Sequence, residues 1–273
     1  MSQDLVTDTW ESGDPYDRYM GRWSRCVASL FLTWLGIPPG RRWLDVGCGT
    51  GALCAAILDE CSPSSVSGVE PSAGFLKTAQ NNLAGRAILV QGTAAAIPLG
   101  DRTADVVVSG LVANFVPDVR VALSEMTRVL ASGGTLAGYV WDYSDGMQLL
   151  RYFWDAAAEL DPGAAKLHEG ARFPVCRPQA LLAVLRNSGL RAPEVAPIDV
   201  ATAFPTFDAY WSPFLGGQGP APAYVMSLDE SAQTRLRDRL QECLPSAPDG
   251  SVPLVARAWA FRASSAQRRT RHE

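Results

Sequence analysis

The sequence lacks the features that mark membrane-spanning, secreted and zinc-binding proteins. It contains no apolar run near the roughly 20 residues that a helix needs to cross a bilayer. Its opening stretch, MSQDLVTDTWESGD, is polar and acidic, unlike a secretory signal. The six cysteines form no Cys-x-x-Cys pair and no cysteine–histidine group with zinc spacing. We therefore expect a cytoplasmic protein with reduced, buried cysteines and no metal site.

Basic charge is also scarce, because the formal net charge is −4. Nucleic-acid-binding proteins usually carry a basic surface, since neutralised phosphates supply much of their affinity. The one basic cluster, RRTRHE, follows the last predicted strand and contains His272. We interpret it as a flexible tail covering 264–273, and we expect neither a nucleic acid nor a membrane as a partner.

The composition is that of a globular protein with a sizeable core. Of the 273 residues, 47% are hydrophobic and 19% are charged. From Arg41 to about Tyr143 short strand-like runs alternate with helical patterns, as in RWLDVG followed by TGALCAAILDEC. One predicted helix begins at Asp118, which can cap it, and ends in the glycines of ASGG. Such alternation predicts βαβ units and a parallel sheet.

The pattern changes after Tyr143. Helical segments are predicted around 147–160 and 177–188, followed by a strand-like VAPIDVATAF. WSPFLGGQGPAPAY is too rich in glycine and proline to predict a regular element. A charged amphipathic helix with Leu236, Leu240 and Leu244 and a closing strand, VPLVARAWAFRA, complete the chain.

These elements predict an α/β fold: a doubly wound, mostly parallel, seven-stranded Rossmann-like sheet with a small helical cap inserted after the fifth strand. The predicted parts are an N-terminal helical lid segment (1–40), a cofactor-binding core (41–143), a substrate cap with a late core strand (144–250), a closing strand (251–263) and the tail (264–273).

Residues 43–54 read WLDVGCGTGALC and place glycines 47, 49 and 51 between a predicted strand and a helix. Glycines there let a ligand approach the backbone, and the following helix offers free N–H groups. The spacing is GxGxG, whereas dinucleotide sites use GxGxxG. Asp45 would repel a pyrophosphate but attract an amino group. Charge therefore favours S-adenosylmethionine over NAD. Glu70, about 20 residues further on, fits the ribose hydroxyls of either ligand.

Four segments in order then carry a resemblance. LDVGCGTG, GVEPS, QGTAAAIPLGDRTADVVVSG and EMTRVLASGGTLAGYVWD resemble the motifs of class I S-adenosylmethionine-dependent methyltransferases. The most similar subgroup comprises the methyltransferases that resemble those of ubiquinone and menaquinone biosynthesis, together with many natural-product methyltransferases. The resemblance covers about 15–143 closely and extends loosely to 263. It implies methyl transfer from S-adenosylmethionine to a small organic acceptor, by O-, C- or N-methylation, with S-adenosylhomocysteine as product.

The resemblance implies a cofactor site by position. The matching residues are Tyr19, Arg22, Asp45, Gly47, Cys48, Gly49, Gly51, Glu70, Pro71, Thr93, Ala94, Ser109 and Leu111. Many relatives carry an acid at the position of Thr93, where it contacts the adenine amine. A hydroxyl accepts that bond without charge assistance, so recognition would depend more on the backbone at Ala94 and on packing by Ile97. Asn114 stands where relatives often carry histidine, which removes one possible base.

For chemistry, Asp142 at the end of the fifth strand is the first candidate base and His168 the second. A solvated strand-end acid and a surface histidine are the plain alternatives. The predicted acceptor pocket is lined by Tyr16, Trp23, Asn114, Trp141, Tyr143, Tyr210, Trp211, Phe214 and Gln218. Its aromatic wall favours an acceptor that is not strongly anionic. For the leading segment the alternative is a core-packed helix, and for 210–219 a packed connector.

Two other functions stay open at this point, because the fold and cofactor do not decide the reaction. One is an enzyme such as a cyclase that keeps S-adenosylmethionine without transferring its methyl group. The other is a non-catalytic binding module. An NAD-dependent dehydrogenase ranks below both because the glycine spacing differs. We expect a monomer or homodimer.

Overall fold

The computed structural model, which describes residues 22–216 and 219–266, contains a seven-stranded sheet. Its strands are β1 (Arg42–Val46), β2 (Ser65–Glu70), β3 (Ile88–Gln91), β4 (Ala104–Gly110), β5 (Leu130–Trp141), β6 (Arg191–Ala201) and β7 (Val255–Ser264). They are ordered β3-β2-β1-β4-β5-β7-β6. The pairs from β3 to β5 are parallel, and β7 runs antiparallel to β5. The predicted fold class is confirmed.

Helices alternate with these strands along the chain. They are α1 (Arg22–Leu35), α2 (Ala52–Glu60), α3 (Ala73–Leu83), α4 (Val119–Val129), α5 (Gln148–Leu160), α6 (Glu169–Arg172), α7 (Pro178–Arg186), α8 (Phe207–Trp211), α9 (Pro220–Ser227) and α10 (Glu230–Cys243). Short 3-10 turns lie at Pro162–Lys166, Pro174–Cys176 and Ser212–Gly216. Within the described ranges, no helix combines the length and hydrophobicity needed to span a membrane.

The central strands are buried over most of their length. In β1 every residue after Arg42 is buried, and in β5 the last six residues are buried. Near-continuous burial of this kind is typical of parallel strands that helices cover on both faces. The carboxyl ends of β1, β2, β3 and β4 consequently meet at one edge of the sheet.

Helix α4 begins as the sequence predicts and ends earlier. Asp118 caps it by accepting hydrogen bonds from the backbone N–H groups of Arg120 (2.9 Å) and Val121 (3.4 Å). The helix ends at Val129, and β5 begins at once, so the prediction that ASGG ends the helix is wrong. The pairing of β4 with β5 is irregular there, and a Cβ on Gly134 would lie 2.7 Å from the Asp105 carbonyl. This close approach explains the glycine.

Residue contacts divide the chain into two compact units. The first contains Ser24–Trp141, Val175–Ile198 and 258–266. The second contains Trp23 with Asp142–Pro174 and Asp199–Arg257. Helix α7 therefore groups with the first unit, and so does most of β6, because β6 is part of the sheet. The five functional ranges inferred from the sequence stay predictions.

In the second unit, the glycine- and proline-rich segment after β6 forms regular structure, contrary to the prediction. Thr206 caps α8, and Pro220 stands in the first turn of α9, where proline needs no N–H partner. Tyr210 and Phe214 are fully buried. The Tyr210 hydroxyl donates to the Leu149 carbonyl at 3.0 Å, and the Phe214 ring stacks on Phe153 at 4.5 Å. Aromatic packing thus holds Tyr210 and Phe214 in the interior of the second unit.

Close packing of the sheet yields a test of the first unit. A Cβ on Gly138 of β5 would lie 2.5 Å from the Ser109 carbonyl and 2.6 Å from the Phe261 ring. We expect Gly138→Ala to lower the free energy of unfolding by about 1–3 kcal/mol through overpacking. Gly74→Ala in α3 is the control, because its Cβ meets only the Ser72 hydroxyl at 3.7 Å. Urea titration should show the control unchanged or stabilised; equal stability of Gly138→Ala and the wild type would contradict the packing.

Candidate cofactor site at the carboxyl edge of the sheet

The loop between β1 and α2 needs glycine at three positions. Gly47, Gly49 and Gly51 have φ angles of 78°, 53° and 88°, which are left-handed values that favour glycine. A Cβ on Gly47 would lie 2.6 Å from Val112, and one on Gly51 would lie 3.0 Å from Leu83. At Gly49 no atom lies within 4 Å of that position. The loop is packed at both ends and open in the middle, where a ligand can lie against its backbone.

Asp45 lies in β1, just before this loop, and only one of its two carboxyl oxygens has a hydrogen-bond partner. The side chain is 1% exposed. Its Oδ2 accepts a hydrogen bond from the Cys54 thiol at 3.4 Å, whereas Oδ1 is buried without a partner. Burial raises the pKa of Asp45 to about 7; Glu70 adds to the rise, and the Cys54 hydrogen bond opposes it. Because buried polar atoms are nearly always paired, Oδ1 is an acceptor with unused capacity at this loop.

Glu70 connects the end of β2 to the glycine loop. Its Oε2 accepts from the Gly49 N–H at 3.1 Å, and its Oε1 accepts from the Ser72 N–H at 3.0 Å. Asn82 of α3 donates to the Thr50 carbonyl at 2.9 Å and holds the loop from the other side. Each carboxylate oxygen of Glu70 keeps further acceptor capacity. Glu70 can therefore orient the loop and accept from two hydroxyl groups of a ligand.

A turn follows β3 at the same edge. The Ala96 N–H donates to the Thr93 carbonyl at 3.1 Å, and the Gly92 N–H donates to the Glu70 carbonyl at 3.2 Å. A Cβ on Gly92 would lie 2.6 Å from the Pro98 ring, so the chain folds back on itself here. Ile97 is buried. Thr93 and Ala94 are thereby placed beside the end of β2.

The loop after β4 adds two unusual features. Leu111 has a φ of 61°, an uncommon conformation for a residue with a side chain, and its N–H donates to the Tyr139 carbonyl at 2.8 Å. The Nδ2 atom of Asn114 is buried without an acceptor. The Ser109 hydroxyl, in contrast, donates to the Val46 carbonyl at 2.8 Å, which ties β4 to β1. The unpaired amide of Asn114 is a second polar group available to a ligand.

An apolar cavity lies beside this loop. Its lining residues are Ala94, Ser109, Ala113, Val116, Val119, Ala122, Leu123, Met126, Val175, Leu181, Val184, Leu185 and Phe261. Its volume is about 30 Å³, which admits one or two water molecules but no organic substrate of ordinary size. We therefore assign no acceptor to it.

The two candidate bases both have structural contacts in the second unit. Asp142 is buried, and its Oδ1 accepts from the Asp145 N–H at 3.2 Å. His168 caps α6, where its Nδ1 accepts from the Gly170 N–H at 3.0 Å, and burial lowers its pKa. A neutral ring bonded in this way carries its proton on Nε2 and offers a donor rather than a base. Both catalytic assignments stay predictions.

The predicted acceptor wall is mostly interior. The buried members are Trp23, Trp141, Tyr143, Tyr210, Trp211 and Phe214. Of these, the indole nitrogen of Trp141 has no hydrogen-bond partner. Outside the described part of the chain lie Tyr16, Tyr19, Gln218 and the side chain of Arg22. The acceptor pocket stays a prediction, because apolar composition alone does not separate a pocket wall from a core.

Several polar residues of the structure carry no sequence signal. The Trp154 indole donates to the buried carboxylate of Glu169 at 2.6 Å. Cys54 of α2 contacts Asp45 of β1, Asn82 of α3 contacts the glycine loop, and Glu125 and Arg128 contact the turn after β3. The contacts of Asn82, Glu125 and Arg128 join residues 28 to 32 positions apart in the chain. Spacing rules, which read neighbouring residues, have no means of finding them.

Comparisons with known proteins give a consistent result for the core. Residues 44–138 match a family model described as a methyltransferase domain. A demethylmenaquinone methyltransferase of Staphylococcus aureus (strain JH9) is 37% identical over 103 residues, 37% of this chain and 43% of that protein. The match thus spans less than half the length of this curated relative.

Solved structures agree on the fold. A putative methyltransferase of Bacillus halodurans C-125 has a TM-score of 0.59 at 15% identity, covering 88% of this chain and 99% of that one. Phosphoethanolamine N-methyltransferase 2 of Haemonchus contortus, in complex with phosphomonomethylethanolamine and S-adenosylhomocysteine, has a TM-score of 0.58 at 15% identity. The match covers 93% of this chain and 58% of that one.

The buried carboxylate at the glycine loop predicts an unusual dependence of stability on pH. Asp45 keeps its proton up to about pH 7 in the folded protein, whereas in the unfolded chain it loses it near pH 4. This contribution to stability is complete below pH 4 and is lost as the pH rises through 7. Relative to Asp45→Asn, the ligand-free wild type should lose on the order of 2 kcal/mol of unfolding free energy between pH 5 and pH 8.

Urea titrations of both proteins at the two pH values measure this difference. Asp105→Asn is the control, because Arg42 holds the pKa of Asp105 below its usual value and that group does not titrate in this interval. A pH dependence that is the same in the wild type and Asp45→Asn would contradict the assignment.

Proposed function

We propose that the chain, whose residues 44–138 form a methyltransferase domain of the class I fold, transfers a methyl group from S-adenosylmethionine to a small organic acceptor. The observation that carries the proposal is the unpaired, buried Oδ1 of Asp45 beside the open centre of the glycine loop. A cationic donor of the ligand would satisfy that atom.

Charge distinguishes S-adenosylmethionine from the other nucleotides that use glycine loops. Its ammonium group would donate to Asp45 and return the pKa of this carboxyl toward its usual value. A pyrophosphate at the same place would face Asp45 and Glu70, and neither has a cationic partner among the contacts that the structure gives them. The site therefore favours an amino acid–nucleoside conjugate over NAD.

The remaining parts of the ligand match the other edge residues. The two ribose hydroxyls would donate to Glu70, whose backbone partners already hold it at the end of β2. The base would lie at the turn of Thr93 and Ala94, with the Thr93 hydroxyl or the Ala94 backbone as partner. These assignments rest on the resemblance and on the position of the turn.

The protein contributes position and exclusion of water to the reaction. When bound, S-adenosylmethionine supplies an electrophilic methyl carbon, and its sulfur keeps the bonding electron pair as the acceptor's nucleophile attacks. Asp45, Glu70 and the glycine loop would hold the cofactor in one orientation. Asn114, with its unpaired amide, would donate to an oxygen of the acceptor. Asp142 is the candidate to receive the acceptor's proton.

The acceptor is proposed by its chemical class. The aromatic residues of the predicted pocket favour a small molecule that is not strongly anionic. O-, C- and N-methylation all remain compatible with the site. Since no cationic surface suited to phosphates is predicted, we propose neither a nucleic acid nor a membrane as substrate, and a monomer or homodimer as the active form.

Calorimetric titration tests the cofactor assignment. We expect the purified protein to bind S-adenosylmethionine saturably and not to bind NAD. Asp45→Asn keeps the shape of the side chain but removes the charge, and should weaken binding at least about tenfold. Asp105→Asn, at the start of β4 and paired with Arg42, is the matched control and should bind as the wild type.

Acceptor screening for S-adenosylhomocysteine release then tests the reaction. Release with one acceptor class supports methyl transfer. Tight binding without release across phenols, amines, enols and thiols favours a non-methylating enzyme or a binding module. Failure of the folded protein to bind S-adenosylmethionine overturns the proposal.

The affinity should also depend on pH in a direction that Asp45 sets. Below about pH 7 the carboxyl carries a proton, which must leave before the ammonium can bind. Affinity for S-adenosylhomocysteine, which has the same ammonium, should rise by up to about tenfold per pH unit toward pH 7 and then level off. Asp45→Asn should show a flat profile over this range. A steep profile in that variant would assign the proton to another group.

A further inference from the structure

Beyond the residues that would touch the cofactor, α4 carries a charged pair that holds the turn after β3. Resting on the proposed function, we infer that Glu125 and Arg128 are positioning residues that fix the Thr93–Ile97 turn for recognition of the nucleoside base. They act through the turn and would not contact the ligand themselves.

The two side chains hold the backbone of one residue, Ile97, at both its N–H and its carbonyl group. The Glu125 Oε2 accepts from the Ile97 N–H at 3.0 Å, and the Arg128 Nη2 donates to the Ile97 carbonyl at 2.9 Å. The Arg128 Nη1 donates to the Leu99 carbonyl at 2.9 Å. Between Glu125 and Arg128 the contact is bidentate, at 2.8 and 2.9 Å. The pair thus supplies hydrogen-bond partners to the backbone of the turn, as a neighbouring strand does in a sheet.

Residues 92–103 need such support because they form neither helix nor regular strand. Short-range contacts shape them from within: the Ala96 N–H donates to the Thr93 carbonyl, the Leu99 N–H donates to the Ile97 carbonyl, and Pro98 packs over Gly92. Ile97 is buried at the end of the turn, and its backbone is the part that Glu125 and Arg128 hold. Loss of that hold would remove the side-chain hydrogen bonds that fix the end of the turn carrying Thr93 and Ala94.

An ordinary surface ion pair would not hold a turn in place in this way. Such pairs contribute little, because water competes for both charges. Arg128 and Glu125 are only 32% and 22% exposed, and two of the Arg128 bonds go to backbone carbonyls. The hydrogen bond from Arg128 also lowers the pKa of Glu125, which keeps the pair charged. Asp101, a third partner at 2.8 Å, is 72% exposed and adds a rim contact.

The same helix supplies a matched control. Arg120 pairs with Asp118 at 3.6 Å, and their side chains are 82% and 46% exposed. Arg120→Ala therefore removes an arginine from α4 without touching the turn. Arg128→Lys keeps the charge but not the planar fork, which two carbonyls and a carboxylate require at once.

The test measures base discrimination as well as affinity. S-adenosylhomocysteine and S-inosylhomocysteine differ only at the purine, where an amine is replaced by an oxygen. We expect the wild type to prefer the adenine ligand. Arg128→Ala should bind S-adenosylhomocysteine about tenfold more weakly, and its preference should fall toward one because the inosine ligand loses less. Arg128→Lys should be intermediate, and Arg120→Ala should match the wild type in both quantities.

A purely structural role would give a different result. If Arg128→Ala lowers both affinities by the same factor, or lowers neither, the inference is overturned. Should Arg128→Ala not fold, Glu125→Gln provides the same comparison, because it removes one charge-assisted contact and keeps the side-chain shape. A wild type that binds neither ligand overturns the proposed function itself, whereas a wild type that binds both equally overturns only the base-recognition turn.

Discussion

The hydrogen bond between the Cys54 thiol and the Asp45 carboxyl holds an ionisable group in the interior with one oxygen unpaired. That arrangement costs stability in the free protein, because burial disfavours the ionised carboxyl. The surrounding features follow from it. The glycine loop follows Asp45 in the chain, and hydrogen bonds with Glu70 and Asn82 hold that loop at Gly49 and Thr50. A binding site of this kind is stabilised by what it binds.

Much of this could be predicted from local pattern. Alternating strand and helix signals predicted the sheet, and the cap at Asp118 was predicted from one residue and its neighbours. The sequence predicted that glycines 47, 49 and 51 lie between a strand and a helix, and they do so, with left-handed φ angles. In each case the decisive interactions lie within a few residues of each other, where spacing and residue type are sufficient.

The remainder depends on residues that are distant in the chain. Whether Tyr210 and Phe214 line a pocket or pack in a core depends on Leu149 and Phe153, which belong to another helix. The start of β5 at Leu130 depends on how β4 approaches Gly134. Glu125 and Arg128 lie within the fourth of the segments that carry the resemblance, EMTRVLASGGTLAGYVWD. Their contact with Ile97 becomes visible only when the turn after β3 is placed.

The strand order has a consequence for how the chain folds. Strand β6 lies at the sheet edge next to β7, and β7 is made some 50 residues later. During synthesis β6 has no neighbour in the sheet until 255–264 have emerged, while β1 to β5 can already pair. Strands β1 to β5 can thus pair early, and closure of the edge by β7 is a late, high-contact-order step. Truncation before β7 would leave an apolar strand edge on β5 open to aggregation.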